Sequence, residues 1–248
     1  MDTEKIRFLE KIAAAGHPGL ESEMYDGWEL RFSEGFTGRA NSVSVYEPGK
    51  LSIEEKVEYC EKRYAEHNLP CNFKLTEADK ELSDFLVRRG YSVNQPTDVM
   101  ILRLRDLNYD SEEVLRDTEF TAEPEGWFEP YFEFEGPKDE KSQELCKRIH
   151  EKVSSEKLYV KVIHEGRAAA VSSTAVEEGY SLLHNVVVDS TLRGLGLGRK
   201  LCQATLEKSR QLGAEYSYLQ VIQSNEIALN LYKKLGYEKL YTYWYVKK

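Results

Sequence analysis

The segment from residue 185 to residue 201 joins an apolar run, a glycine-rich turn and the start of a helix, and it constrains the fold more than any other part of the chain. Val186–Val188 is typical of a buried strand, and Gly194, Gly196 and Gly198 follow at alternate positions. The first N–H groups of a helix have no partner within it and lie at the positive end of its dipole. Glycines at such a start let a phosphate reach those amides. The pattern therefore predicts an α/β domain with a phosphate-binding turn.

The spacing of these glycines narrows the choice of phosphate ligand. A dinucleotide-binding fingerprint requires glycine at position 199, where this chain has Arg199, and the Gly-Lys-Ser/Thr of a Walker loop is absent. A glycine turn without a ligand remains an alternative, although each glycine weakens a helix by up to about 1 kcal/mol. The two commonest nucleotide motifs are therefore excluded.

Two motifs resemble the GNAT superfamily of N-acetyltransferases. Arg193-x-x-Gly196-x-Gly198, directly after the strand, resembles the pyrophosphate-binding motif of that superfamily, Arg/Gln-x-x-Gly-x-Gly/Ala. A second signature, Asn-x-x-Ala-x-x-Leu-Tyr-x-x-x-Gly-Phe/Tyr, is matched further along the chain by Asn225, Ala228, Leu231, Tyr232, Gly236 and Tyr237. The resemblance covers roughly residues 110–248. It implies a mixed, mostly antiparallel α/β sheet of the GNAT type, flanked by helices.

The resemblance also implies a site for acetyl-CoA. The strand backbone would pair with the pantetheine arm like an added strand, and the strand would separate from the next one, Tyr218–Ile222, to make room for the acyl group. The turn would hold the pyrophosphate, and Asn225 would hydrogen-bond the cosubstrate; a simple N-cap role for Asn225 is an alternative. The implied contact residues are Val186, Val187, Val188, Arg193, Gly194, Leu195, Gly196, Leu197, Gly198, Arg199 and Asn225.

The expected reaction is attack of a neutral amine on the thioester carbonyl, with loss of the CoA thiolate. Tyr232 matches the general-acid tyrosine of the superfamily, and its ordinary pKa of about 10 suits protonation of a thiolate of pKa near 8.5. His184 and Asn185 are candidates by position for a base, because residues 181–184 lack the glutamate that many members carry there. A structural Tyr232, a core His184 and attack assisted by bound water remain alternatives.

Composition excludes several other classes of protein. The net charge is −9 and Lys and Arg are not clustered, which argues against a nucleic-acid partner. The four cysteines and five histidines are scattered, so no metal site is predicted. The chain has no apolar run near 18 residues and no apolar signal-peptide core at its start, which predicts a cytoplasmic protein with no membrane partner.

The negative charge is concentrated between residues 110 and 140, where twelve acidic residues face two basic ones. Aromatic residues are threaded through this stretch: Trp127, Phe128, Tyr131, Phe132 and Phe134. Both a solvated surface with anchoring rings and an acceptor-site wall that attracts a cationic amine are compatible with this pattern.

The order of predicted elements divides the chain into two domains. Residues 1–107 predict helix, strand, strand, helix, strand, helix and an extended pair broken at Gln95-Pro96, and they resemble a smaller, degenerate GNAT-like domain without a cofactor loop. Its glycine pair, Gly35-x-x-Gly38, is interpreted as a turn. Residues 108–248 predict two helices around a loop region at 124–137, an antiparallel meander, then helix, strand, helix and a closing strand pair. We expect this second domain to be catalytic.

Together these features predict an N-acetyltransferase that transfers acetyl from acetyl-CoA, in a ternary complex, to the primary amine of a small molecule or peptide. The alternative is a non-catalytic acyl-CoA-binding regulatory module, against which Tyr232 and Asn225 count. Whether the donor carries a longer acyl chain depends on the depth of the pocket beside the strand, and a fold and motif do not define the acceptor.

Overall fold

The structure is a computed structural model that describes residues 2–248. The chain forms two compact units, unit 1 (residues 1–99, 144–153 and 240–248) and unit 2 (residues 100–143 and 154–239). These ranges differ from the predicted domains, 1–107 and 108–248, because two later segments of the chain pack within unit 1. A degenerate GNAT-like origin for unit 1 remains a proposal.

The elements of unit 1 are α1 (Thr3–Ala15), β1 (Glu21–Tyr25), β2 (Trp28–Phe32), β3 (Val43–Val45), α2 (Ile53–Glu66), β4 (Asn72–Thr76), α3 (Lys80–Arg88), most of β5 (Ser92–Arg103), most of α6 (Glu140–Lys152) and most of β11 (Glu238–Lys247). Five of these strands follow one another in the sheet in the order β1-β2-β3-β4-β11. Strands β3 and β4 are parallel, and the pairs β1/β2, β2/β3 and β4/β11 are antiparallel. Because β11 pairs with β4, the end of the chain completes the sheet of the N-terminal half.

The core of unit 1 is formed where α2 and α3 cover this sheet. Aromatic side chains dominate it, and Trp28 meets Phe73 edge-on at 6.0 Å between ring centroids. Tyr64 is fully buried in the same cluster and donates its hydroxyl hydrogen to the Arg31 carbonyl oxygen at 2.9 Å. Burial of such rings contributes both apolar area and specific ring contacts to stability.

The chain segment between β3 and α2 donates backbone hydrogen bonds to a carboxylate of the same unit. Asp26, in the turn between β1 and β2, accepts hydrogen bonds from the backbone N–H groups of Lys50 and Leu51 at 2.8–2.9 Å. These bonds hold the pKa of Asp26 below its usual value, with the Leu51 amide as the largest contribution. Ser52 and Glu55 form the capping box that begins α2, and serine followed three residues later by glutamate is the sequence signature of such a helix start. The backbone N–H groups of Lys50, Leu51, Ser52 and Glu55, just before and within the first turn of α2, are therefore paired within the protein.

The elements of unit 2 are α4 (Ser111–Leu115), β6 (Thr118–Thr121), α5 (Phe128–Glu135), β7 (Glu156–His164), β8 (Arg167–Glu177), β9 (Tyr180–Val188), α7 (Leu197–Gln211), β10 (Tyr216–Ile222) and α8 (Glu226–Lys234). Its strands lie in the order β6-β7-β8-β9-β10. The predicted antiparallel meander is confirmed for β7, β8 and β9, and β10 lies parallel to β9.

Unit 2 is held together by two hydrophobic clusters, one against each end of α7. The first packs buried residues of α7 and β10 with Tyr232 and Tyr237, and the second packs Leu197 and Leu201 against β7 and β8. The partly buried Val186 contacts both clusters. The middle of β9 is thereby tied to the helix that begins at the glycine turn.

Three predictions of local structure are wrong. The predicted break at Gln95-Pro96 does not interrupt β5, because Gln95 takes a positive φ of 51° within one continuous strand. The predicted closing strand pair is the single strand β11. The predicted loop region 124–137 contains α5, which Gly136 ends with a φ of 106°.

Among residues 2–248, no helix has the length and apolar character needed to cross a membrane.

Candidate active site

Strands β9 and β10 pair only at their first residues and then separate. Their parallel register runs through three pairs and ends where Leu182 faces Tyr218, although β9 continues to Val188 and β10 to Ile222. The strand edges beyond this point have backbone N–H and C=O groups that are not used between the two strands. An extended ligand can add to such an edge by main-chain hydrogen bonds.

Beyond the strand, Asp189 turns the chain toward α7. Its side chain accepts hydrogen bonds from the Thr191 backbone N–H and hydroxyl, at 2.9 and 2.7 Å, and pairs with Arg167 at 2.8 Å. These contacts, Thr191 first, hold the pKa of the Asp189 carboxyl below its usual value. The Asp189 N–H also donates to the Ala169 carbonyl oxygen at 2.9 Å. Hydrogen bonds of both the side chain and the backbone N–H of Asp189 therefore fix the start of the turn.

The glycine turn uses its glycines in two ways. Gly194 and Gly196 have φ values of 86° and 79°, and a Cβ atom built on either meets no other atom within 4 Å. They are needed for the left-handed backbone, and the space beside them is open. At Gly198 a Cβ would lie 3.3 Å from the Val188 side chain, so this glycine permits the close approach of helix to strand.

The first turn of α7 presents free donors to this open space. Gly196 is the N-cap and no side chain caps it, while the first helical bond runs from the Lys200 N–H to the Gly196 carbonyl oxygen at 3.1 Å. The preceding N–H groups therefore lack partners within the helix. Arg193, Leu195 and Arg199 are exposed around the turn, whereas Leu197 is buried in the core. This arrangement suits a phosphate or pyrophosphate group.

Tyr232 lies on α8 in the cluster that contacts the middle of β9. It is 8% exposed, and its ring meets that of Tyr237 edge-on at 5.9 Å. Burial, together with the neighbouring Cys202, raises the pKa of Tyr232 above its usual value. The phenol is therefore protonated at neutral pH and is a hydrogen-bond donor. Its role as an acid remains a prediction.

Asn225 is the N-cap of α8, which is the role that the sequence offers as an alternative to contact with the cosubstrate. Its Oδ1 accepts a hydrogen bond from the Ala228 N–H at 3.1 Å, and the residue is exposed. Capping uses the side-chain oxygen and leaves the Nδ2 amide as the group that could contact a cosubstrate. Both proposed roles of Asn225 are thus compatible.

A β-bulge in β9 includes the first of the three valines. The bulge lies between two pairs of opposed residues: Val171 with Val187, and Ser173 with His184. Asn185 and Val186 therefore face the single residue Ser172, and Asn185 takes a left-handed φ of 51°. Bulges re-aim the following side chains and backbone groups. Val187 and Val188 follow it, and all three valines are partly buried at the strand edge.

His184 directly precedes this bulge and is 6% exposed. Its burial is what a core histidine would show, and a catalytic role for it remains a prediction. Asn185 donates its Nδ2 hydrogen to Ser173 Oγ at 3.0 Å, so its side chain braces the neighbouring strand.

The aromatic residues of the acidic stretch pack on the sheet beside the bulge. The Trp127 indole N–H donates to the Ser172 carbonyl oxygen at 2.9 Å, and the Tyr131 hydroxyl lies 3.5 Å from Asn185 Oδ1. Sequence reasoning did not connect these residues with the bulge; their only signal was large aromatic residues within a charged run. The glutamates between and on either side of these two residues are exposed: Glu123, Glu125, Glu129, Glu133 and Glu135.

Within the described part of the chain, no group of three or more His, Cys, Asp or Glu side chains is placed to hold a metal ion.

Comparisons with known proteins agree with this geometry. A family model described as probable histone acetyltransferase Rv0428c C-terminal matches residues 3–246. The uncharacterized N-acetyltransferase YobR of Bacillus subtilis strain 168 is 29% identical over 248 residues, 98% of this chain and 98% of that protein. A ribosomal protein bS18 alanine N-acetyltransferase of Escherichia coli K12 is 30% identical over 82 residues, 33% of this chain and 55% of that protein.

A solved structure shows the same fold. The GCN5-related N-acetyltransferase from Kribbella flavida superposes with a TM-score of 0.72 at 16% identity, over 99% of this chain and 95% of that one. The family match spans nearly the whole chain, and the relatives that match are named as N-acetyltransferases. The chain therefore belongs to the Rv0428c-type acetyltransferase family and is a GNAT-superfamily acyl-CoA N-acyltransferase.

Proposed function

We propose that this acyltransferase transfers an acetyl group from acetyl-CoA to a primary amine by direct attack in a ternary complex. The observation that carries the proposal is the separation of β9 from β10 beyond the Leu182–Tyr218 pair, next to a glycine turn with open amides. A thioester ligand with an extended arm would fit the unpaired strand edge, and a pyrophosphate group at its other end would fit the open amides of the turn.

The residues present fit acetyl-CoA along the length of this site. Val186–Val188 would pair with the pantetheine arm, and the N–H groups from Gly194 to Gly198 would hold the pyrophosphate. The exposed guanidinium groups of Arg193 and Arg199 add positive charge on the same turn. Asn225 would donate from Nδ2 to the cosubstrate while its Oδ1 caps α8.

Bound acetyl-CoA supplies the thioester carbonyl and the thiolate leaving group. The neutral amine nitrogen forms a bond to the carbonyl carbon, the carbon–sulfur bond breaks, and the thiolate takes a proton from the Tyr232 hydroxyl. The proton lost by the amine passes to a base, for which His184 or a bound water is the candidate. Return of that proton to the Tyr232 oxygen restores the enzyme, and the products are the acetylated amine and CoA.

The acceptor is proposed to be a cationic amine on a small molecule or a peptide. The exposed glutamates along and beside α5 make that side of unit 2 negative, which favours the approach of a positively charged molecule. Peptide acceptors have a precedent in the relative named for ribosomal protein bS18 alanine.

The role of Tyr232 is tested by Tyr232→Phe, which removes only the hydroxyl group. Loss of a general acid is expected to lower kcat by roughly 10²- to 10⁴-fold. The dissociation constant for acetyl-CoA from calorimetry should change little, because the Phe ring keeps the packing of the buried cluster. Amine acetylation is followed by release of the CoA thiol.

Tyr237→Phe is the matched control. Tyr237 is also a buried tyrosine of the same cluster, but its hydroxyl lies 2.6 Å from Ser217 Oγ. That variant should lose stability and keep kcat. An unchanged kcat in Tyr232→Phe would remove Tyr232 from the mechanism, and failure of the wild type to bind acetyl-CoA would refute the proposed donor.

A further inference from the structure

The bulge in β9 is strained and must be held by its surroundings. Asn185 has a φ of 51°, a left-handed backbone conformation that is unfavourable for L-residues, although less so for asparagine than for most others. The residue opposite, Ser172, faces two residues where a regular ladder offers one. A strained element of this kind persists only where neighbouring groups determine it.

Trp127 contacts the β8 side of the bulge. Its side chain is fully buried, and its indole N–H donates to the Ser172 carbonyl oxygen at 2.9 Å. A buried indole N–H needs an acceptor, so this bond fixes both the ring and the backbone at Ser172.

Tyr131 contacts the β9 side. It lies one helical turn after Trp127, and the two rings are stacked at 4.7 Å with an interplanar angle of 15°. Its hydroxyl lies 3.5 Å from Asn185 Oδ1, beyond the range of about 2.5–3.0 Å that is usual for an O–H···O hydrogen bond, so this contact is weak, while Asn185 Nδ2 donates to Ser173 Oγ. One pair of stacked rings thus contacts both strands of the bulge.

We propose that Trp127 and Tyr131 are positioning residues for acyl transfer: they hold the bulge and thereby set the direction of the Val186–Val188 edge. Neither residue needs to touch the thioester. The inference rests on the proposed function, since that edge is the proposed pantetheine-binding strand. It assigns the aromatic residues of the acidic stretch a task distinct from that of its exposed glutamates.

The main test is Trp127→Phe, with Phe128→Leu as its control. Trp127→Phe removes the indole N–H and some buried ring. Phe128→Leu removes buried aromatic volume beside the same tryptophan, with ring centroids 5.5 Å apart, but Phe has no side-chain hydrogen-bond donor to lose. We expect Trp127→Phe to weaken acetyl-CoA binding roughly tenfold, equivalent to about 1.4 kcal/mol. Phe128→Leu should lower Tm similarly and leave the dissociation constant within about twofold.

Backbone hydrogen exchange provides a readout that needs neither cosubstrate nor turnover. The amides from Asn185 to Val188 should exchange faster in Trp127→Phe than in Phe128→Leu, while those of β7 remain alike in the two variants. Tyr131→Phe, which keeps the ring, should show a smaller change in the same direction and guards against misfolding of the tryptophan variant.

Equal binding and equal exchange in Trp127→Phe and Phe128→Leu would overturn the inference. If the wild type fails to bind acetyl-CoA, the proposed donor is wrong, yet the exchange data still decide whether the two rings hold the bulge. The two failures are therefore distinguishable.

Discussion

Each unit contains a strand that leads through a turn into a helix, which is followed by a strand parallel to the first. The two strand-to-helix connections, called corners below, differ in what lies beside the backbone amides near the start of the helix. In unit 2, β9 leads to α7, and Gly194 and Gly196 leave its first amides facing open space. In unit 1, β3 leads to α2, and the Asp26 carboxylate accepts from the Lys50 and Leu51 amides. The second corner has the form of an anion site that is already filled.

The fit of Asp26 into its corner is close. A Cβ atom on Gly49 would lie 2.1 Å from Asp26 Oδ2, and Lys56 Nζ, whose side chain is almost fully buried, lies 3.5 Å from the same oxygen. Two backbone amides and an ammonium group therefore surround one carboxylate, a set that would also suit a phosphate. A phosphorylated cosubstrate would have to displace a tethered anion.

The helix that follows the parallel strand in each unit, α8 in unit 2 and α3 in unit 1, can be compared in the same way. The backbone of α8 closes with a bond from the Tyr237 N–H to the Tyr232 carbonyl oxygen at 3.0 Å, and α3 closes with one from Tyr91 to Leu86 at 3.1 Å. The position of the proposed acid, Tyr232, is thus taken by an apolar leucine in unit 1. The backbone pattern recurs in unit 1 without the groups that chemistry would require there, which supports the proposal of a degenerate domain.

The largest effect on acetyl-CoA binding is expected from Gly196→Glu, which fills the open space beside the glycine turn. The added side chain would occupy the free space, bring negative charge to a phosphate site and strain a backbone with φ of 79°. Acetyl-CoA binding should weaken by at least about 100-fold, near 2.7 kcal/mol, measured by calorimetry.

Gly213→Glu is the control for backbone strain in that experiment. Gly213 has a φ of 87° and open space around its Cβ position, but it lies after the far end of α7. This variant should lose similar stability and keep its affinity. Equal loss of binding in both variants would mean that strain, not the site, explains the effect.

Removing the internal anion with Asp26→Asn is expected to lower Tm by several degrees without changing acetyl-CoA affinity. The amide keeps the shape but loses the charge that faces two N–H groups and Lys56. The stoichiometry should remain one acetyl-CoA per chain, because the capping box still covers the start of α2. A second bound equivalent in the variant would show that Asp26 alone keeps the corner closed.

The pH dependence of this stability has a definite sign. The pKa of folded Asp26 is lowered, so its contribution is complete above the ordinary aspartate value of about 3.9 and is lost as pH falls through the folded value. The difference in Tm between wild type and Asp26→Asn should therefore be constant near neutrality and shrink below about pH 4. A constant difference down to pH 2 would contradict the assignment.

Much of the fold could be predicted because its signals are local. A few adjacent residues determine each of three features: the capping box at Ser52, the turns at Glu165-Gly166 and Glu178-Gly179 between the strands of the meander, and the glycine turn before α7. The assignment of β11 to the sheet of unit 1 could not be predicted, because pairing Tyr243 with Thr76 depends on contacts far apart in sequence. The bulge at Asn185 could not be predicted for the same reason, because its register depends on the neighbouring strand and on Trp127.

A smaller effect is expected from Gly198→Ala. Its Cβ would lie 3.3 Å from the Val188 side chain and 3.7 Å from that of Leu231, so α7 must shift slightly away from β9. Alanine favours the helix by up to about 1 kcal/mol, which offsets the crowding, so Tm should change little. Acetyl-CoA binding should weaken only about two- to fivefold, or about 0.4–1 kcal/mol. Unchanged affinity would mean that the helix–strand spacing does not set the site.

The smallest effect is expected from ionisation of Tyr232 on the pH profile of kcat/KM. Leu86, at the corresponding position of unit 1, has no group that titrates. Burial raises the pKa of Tyr232, so the group is protonated, and able to donate, throughout the range below the ordinary tyrosine pKa of about 10. The profile of kcat/KM against pH should rise as the acceptor amine loses its proton and should show no falling limb up to about pH 9.5. Tyr232→Phe should lower the whole profile without changing its shape. A falling limb below pH 9 that disappears in Tyr232→Phe would show that the tyrosine ionises more easily than its burial implies, and that the α8 site is more polar than the clustered side chains around it indicate.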